Sequence, residues 1–209
     1  MLAIKQIYKT VMDKFSKLID RLYILDEIRE TDQIKILHIS DTPDNIYKFI
    51  FSVIDRLKPD YIIHTGDLAD NIKLGSGAPL NLYKKSVNDF MREFVRRDWV
   101  ERYIVPGNHD DIETINRLAK NKIFVYEEGD TIHIEGVKIG LAHYKENLPS
   151  NVEINLYGHD KTAIDNNDIL YLNGLLDINI IVLPGKEVHK LSYPLKTDSG
   201  RQYKRLKLP

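Results

Sequence analysis

Short apolar runs in this 209-residue chain end, one after another, in a polar residue that can bind a cation or move a proton. Ile34–Ile39 runs into Ser40-Asp41, Tyr61–Thr65 into Gly66-Asp67, and Arg102–Val105 into Pro106-Gly107-Asn108-His109-Asp110. Val137–Ala142 leads to His143, and Glu153–Tyr157 leads to Gly158-His159. The runs are short and rich in Ile and Val, the mark of buried strands. This pattern constrains the fold most, because open α/β sheets gather their ligands beyond the carboxyl ends of the strands. Residues spread from Asp41 to His159 are thereby expected to meet in one place. Gly66, Gly107 and Gly158 each precede one of these groups and permit the sharp turn that aims it.

The segments between the runs read as helices and loops. Asn45–Leu57 has apolar residues at helical spacing (Ile46, Phe49, Ile50, Val53, Ile54, Leu57) and stops before Pro59. Leu82–Val95 and a stretch near 112–120 are expected to be helical, and 71–80, with Gly75, Gly77 and Pro79, a loop. Glu135-Gly136 between two strand-like runs signals a hairpin, and Ile178–Leu183 reads as a further strand. A βαβαβ start followed by a strand-rich second half predicts a layered α/β domain.

Both ends are distinctive. Residues 4–28 carry an apolar stripe (Ile4, Ile7, Val11, Phe15, Leu18, Leu22, Leu25) opposite Lys5, Lys9, Lys14, Lys17 and Asp20. That predicts a helix that either packs on its own domain or, because the stripe approaches a 3.5 period, forms a homodimer or docks a partner. Domain organisation then reads as a helical extension over 1–30 and a single domain over 31–209. The last stretch, 186–209, holds seven Lys and Arg residues against Glu187 and Asp198 and reads as a solvated strand or tail.

Composition narrows the chemistry. There is no cysteine, so thiolate metal sites and disulfides are excluded, and a metal would be held by His, Asp, Glu or Asn. The net charge of -1 sets no bulk field for nucleic acid, which only the basic tail and its Tyr193 and Tyr203 suggest. No apolar span of membrane length or secretion signal is read, so a cytoplasmic location is expected. Oxygen and imidazole donors suit manganese, iron, zinc or nickel. His38 and His64, inside strand runs, are read as core or supporting groups, and His133 and His189 are given no role.

In this order the blocks resemble those of the calcineurin-like metallophosphoesterases: Asp41-Thr42-Pro43, Gly66-Asp67-Leu68-Ala69-Asp70, Gly107-Asn108-His109-Asp110, His143, and Gly158-His159-Asp160-Lys161. The resemblance implies a four-layered α/β/β/α sandwich of two mixed sheets flanked by helices. It implies one metal held by Asp67, Asn108, His143 and His159, with Asp67 bridging to a second position that includes Asp41. That second position has lost two of its donors, since Pro43 and Lys161 stand where the family pattern has histidine. One or two divalent ions per chain are therefore expected, with Lys161 neutralising Asp41 and contacting a substrate phosphate, or else pointing to solvent. His109 matches the residue that protonates the leaving group or steadies the transition state, and Asp70 the carboxylate that orients it. The implied activity is metal-dependent hydrolysis of a small phosphomonoester or phosphodiester. The alternative is a weak or inactive relative that binds a ligand or partner.

Overall fold

The computed structural model describes residues 28–201. All but Ile28 of the expected N-terminal helix, and the homodimer contact expected through it, lie outside the described residues. The chain builds β1 (Ile34–Ile39), β2 (Tyr61–His64), β3 (Glu101–Ile104) and the short β4 (Phe124–Val125). It continues with β5 (Thr131–Ile134), β6 (Val137–Leu141), β7 (Ile154–Tyr157) and β8 (Leu170–Asn173). It then returns with β9 (Ile178–Leu183) and β10 (Glu187–Leu191).

These form two mixed sheets, one of order β10-β9-β1-β2-β3-β4 and one of order β5-β6-β7-β8. In the first, β1 to β4 run parallel while β9 and β10 are antiparallel to their neighbours. In the second, β6, β7 and β8 run parallel. Strands that are parallel share one carboxyl edge, so the loops after β1, β2 and β3 leave on the same side.

The strands of the larger sheet are apolar on both faces because both faces are covered. Leu37, Ile62 and Ile180 point to a core shared with the helices, and their neighbours Ile36, Ile63 and Ile181 to a core between the sheets. This period-2 division is what the near-continuous Ile runs encode. Helix α1 (Tyr47–Leu57) ends at Lys58, whose φ of 52° turns the chain ahead of Pro59. Helix α2 (Leu80–Val95) begins two residues before the expected Leu82, directly after Pro79, which stands extended at its N-cap (φ -65°, ψ 128°). Helix α3 (Ile112–Ala119) is capped by Asp111, whose carboxylate accepts the Thr114 amide at 3.1 Å. All three contribute side chains to the core on the larger sheet.

Three strands escape the sequence pattern. β4 is two residues long, β8 follows a polar Asn-Asp turn, and β10 alternates charge with apolar residues as an edge strand does. The stretch read as a solvated strand or tail opens as an edge strand, and after it the chain turns back inward. Tyr193 and Arg201 are buried, and between them lies a short helical turn, α4 (Thr197–Gly200).

Candidate metal centre

The loops after β1, β2 and β3 meet those after β6 and β7, and three of the expected ligands stand in unusual backbone conformations. Asp41, Asp67 and His159 have φ of 52°, 58° and 67°. The left-handed region is uncommon for residues other than glycine, and Asp, Asn and His enter it most readily. Such conformations persist where surrounding contacts enforce them, and they cluster at functional sites.

Those contacts are specific. Asp110 presents one carboxylate oxygen to the amides of Asp67 and Gly107, both at 2.8 Å. Its other oxygen accepts from the Leu68 amide at 2.9 Å and the Tyr83 hydroxyl at 2.8 Å. One side chain therefore ties the β2 and β3 loops together. The His109 amide donates to Asp67 Oδ1 at 2.9 Å, fixing the Asp67 carboxylate from the other loop. Across the site, Asp41 Oδ2 accepts from Ser40 Oγ at 2.6 Å and from the His159 amide at 3.1 Å. Sequence reasoning assigned Asp110 no role, although it lies in the same block as Asn108 and His109.

His143 is fully buried, and its Nδ1 lies 2.7 Å from the Thr65 carbonyl oxygen. A carbonyl only accepts, so this nitrogen carries the hydrogen and a neutral ring turns its Nε2 lone pair into the site. Nε2 stands 3.0 Å from Asn108 Oδ1 and 3.2 Å from His159 Nδ1, and those two atoms are 3.1 Å apart. Three donor atoms converge where at most one ring proton is shared. Donors about 2.1 Å from a common ion lie about 3 Å apart when they sit at right angles, as in octahedral coordination. Asp67 Oδ2 is 3.7 Å from the same His143 nitrogen. One donor atom each from Asp41, Asp67 and His143 also fall within 4.8 Å of one another.

The electrostatics favour a cation as well. Burial, then the charges of Asp41, Asp110 and Asp70, raise Asp67 well above the ordinary carboxylate range. Asp110 is raised chiefly by burial, against the pull of its donors. Asp70 is pushed up to about 6 by burial and by Asp41, and it has one buried oxygen without a hydrogen-bond partner. Carboxylates crowded out of water in this way are relieved by a multivalent cation. The donor set fits a divalent metal.

His109 is half-buried beside this cluster. Its Nδ1 accepts the Gly75 amide at 3.3 Å, so its Nε2 carries the hydrogen in the neutral ring. Burial, the Lys73 ammonium and the two neighbouring histidines push its pKa down to about 4. The contact expected from Asp70 to His109 is not formed. Asp70 pairs with Lys73 three residues on, and the loop amide of Gly75 takes its place at the ring.

Lys161 stands half exposed, in line with the solvent-facing reading of it and not the Asp41 one. Its ammonium pairs with Asp198 at 2.5 Å, on an exposed surface, rather than with Asp41. His38 and His64 prove to be buried supports. His38 Nε2 is 3.0 Å from Thr65 Oγ1, and His64 Nε2 is 2.9 Å from Thr42 Oγ1. Burial pushes both pKa values down to about 3, so both rings are neutral.

Among known proteins, the family model described as calcineurin-like phosphoesterase matches residues 34–207. A protein of Arcobacter nitrofigilis named as a probable glycerophosphodiester phosphodiesterase, GpdQ, is 32% identical over 78 residues. That segment is 35% of this chain and only 24% of the relative. Among solved structures, the phosphoesterase Yfce from E. coli aligns with a TM-score of 0.52 at 15% identity, covering 77% of this chain and all of that one. Another solved chain aligns over 78% of this one and all of itself, with a TM-score of 0.57 at 11% identity. Both likenesses speak to the fold. No helix among the described residues is long and apolar enough to cross a membrane.

Proposed function

The chain belongs to the calcineurin-like phosphoesterase family, and on that premise we propose that it is a metal-dependent hydrolase of small phosphodiesters with one resident metal. The observation that carries this reading is the convergence of His143 Nε2, Asn108 Oδ1 and His159 Nδ1, with Asp67 alongside. These four residues would hold the metal. A divalent ion so held supplies Lewis-acid polarisation of a phosphoryl oxygen and lowers the pKa of water. A second ion would have Asp41 and the shared Asp67 but no imidazole, because Pro43 and Lys161 occupy the remaining positions.

The chain's own groups then divide the work. Asp67 is held by the His109 amide, and His143 by the Thr65 carbonyl, so both enter the reaction already oriented. His109 offers its Nε2–H to the leaving-group oxygen and steadies the negative charge that develops there. A neutral ring suits this role, since a donor is needed more than a stored proton.

Charge favours the diester. A phosphodiester carries one negative charge, whereas a monoester carries about -1.5 to -2 at neutral pH. Relative to a two-metal site, one ion leaves two fewer positive charges against Asp41, Asp67, Asp70 and Asp110, with Lys73 and Arg201 the other cations beside them, so the lower charge is the easier to admit. The relative named as a glycerophosphodiester phosphodiesterase supports the same choice.

The test is hydrolysis of chromogenic mono- and diesters with manganese, nickel, zinc or iron, alongside metal analysis of the loaded protein. The diester is expected to turn over faster, with one metal per chain. His109→Ala is expected to lower kcat by about 10²–10⁴ and leave metal content unchanged. Two tightly held metals per chain would reject the one-metal reading. Absence of metal-dependent turnover, or indifference to His109→Ala, would favour the ligand-binding alternative.

A further inference from the structure

The two positions where histidine is replaced, Pro43 and Lys161, meet the same element. That element is the turn α4. A Cβ built on Gly200 would lie 3.1 Å from Pro43 Cγ and 2.9 Å from Asn45 Oδ1, so the turn's backbone packs directly on the Pro43 loop. Lys161 reaches the turn through Asp198. The turn ends in Arg201, which is 2% exposed and runs beneath Asp41.

Arg201 makes contacts that a surface arginine does not. Its Nε donates to the Asp41 carbonyl oxygen at 2.7 Å, Nη2 to the Ser40 carbonyl at 3.3 Å, and Nη1 to the Leu175 carbonyl at 2.8 Å. Nη1 also lies 3.3 Å from Asp198 Oδ1, and the guanidinium stands 4.5 Å from the centre of the Tyr193 ring. The planar guanidinium fork suits several acceptors at once. Burying a cation is costly, so it needs good hydrogen bonds and nearby negative charge. Asp41, with Asp70 beyond it, supplies that charge.

We propose that Arg201 is a positioning residue for the metal centre. Docked through the C-terminal turn, it holds the Asp41 backbone so that the Asp41 carboxylate fixes His159 as a ligand. The chain of contacts runs from the guanidinium to the Asp41 carbonyl, through the aspartate at φ 52°, to the His159 amide, and so to the ring whose Nδ1 faces Asn108 and His143. The turn thereby braces Asp41 from the side where Pro43 and Lys161 leave no imidazole for a second cation. This inference rests on the one-metal reading above.

The experiment measures manganese alone binding to the full chain by calorimetry, with hydrogen exchange of the His159 amide followed in parallel. Arg201→Gln is expected to weaken manganese binding about 10–100-fold and to speed exchange at His159. Arg201→Lys, which keeps the charge on a single donor nitrogen, is expected to recover part of both. An Arg201→Gln protein that folds, as judged by circular dichroism, yet keeps native affinity and native His159 protection overturns the proposal. Should that variant fail to fold, Asp198→Asn decides, since it alters an exposed side chain. A smaller loss in the same direction supports the proposal, and unchanged affinity and protection overturn it. Two manganese ions per native chain would reject the one-metal reading, whereas one ion with indifference to Arg201 would reject only the positioning role.

Discussion

At the scale of single residues, the site depends on backbone conformations that few side chains tolerate. Gly66 stands at φ 97°, where a Cβ would come within 2.5 Å of His143 Nδ1 and 2.7 Å of the Gly107 Cα. The Thr65 carbonyl that fixes the His143 tautomer is its neighbour, so a side chain here would push the ring off its acceptor. Gly66→Ala is expected to cost about 3 kcal/mol from strain and overpacking together. Urea denaturation would measure that loss, and metal analysis of the same protein would show a lowered metal content. Gly158 is equally constrained, since a Cβ there would overlap Ser40 Oγ and crowd Asp41 Oδ2. The sequence places both glycines beside candidate ligands, and the close approach of a neighbouring loop leaves no room for a larger residue.

At the scale of elements, helix α2 supports the candidate metal centre from behind. Phe90 is fully buried, with ring centroids 5.0 Å from Tyr47, 5.4 Å from Phe51 and 5.1 Å from Phe94. The His64 ring meets it edge-on at 5.7 Å, and His64 in turn contacts the Thr42 hydroxyl beside Asp41. Phe90→Ala is expected to destabilise the fold by about 3–5 kcal/mol, read from the shift of the denaturation midpoint. The helical spacing in α1 and α2 was readable because each buries one face on a sheet. The sequence leaves β10 open between strand and tail, and the inward return through α4 was not readable, because the charged residues there give a pattern that also fits a solvated tail. The antiparallel partner β9 and the burial of Arg201 decide their place.

At the scale of the molecule, two sets of buried titratable groups act in opposite directions as pH falls. His38 has a folded pKa of about 3 against an ordinary 6.5, so below pH 6.5 the unfolded chain takes up a proton that the folded chain refuses. Its contribution therefore destabilises the fold as pH drops through 6.5 and on toward 3. Asp70, raised to about 6, works the other way, because the folded chain takes up a proton while the unfolded carboxylate is still charged. A simple acid titration of the native protein sums the two. Comparison with His38→Gln separates them. The stability difference, native minus variant, is expected to fall by about 2 kcal/mol between pH 7 and pH 5. Denaturant titrations of both proteins at the two pH values measure it, and a constant difference would mean that His38 is not held neutral by burial.

The sequence by itself determined the layered α/β class, the strand ends that carry Asp41, Asp67, Asn108, His109, His143 and His159, and the two positions, Pro43 and Lys161, that lack imidazole. Those features are local: residue types next to turns, apolar runs at periods of 2 and 3.6, and blocks in a fixed order. Which groups stand against one another was decided only by the tertiary structure. Asp110 ties the β2 loop to its own, Lys161 pairs with Asp198 instead of Asp41, and Asp70 pairs with Lys73 instead of meeting His109. Arg201 reaches Asp41 across 160 positions of chain. A charged side chain near the end of a sequence reads as solvated until the fold puts carbonyl oxygens and buried carboxylates around it. Its partner is then set by how the sheets and turns pack, which no local pattern records.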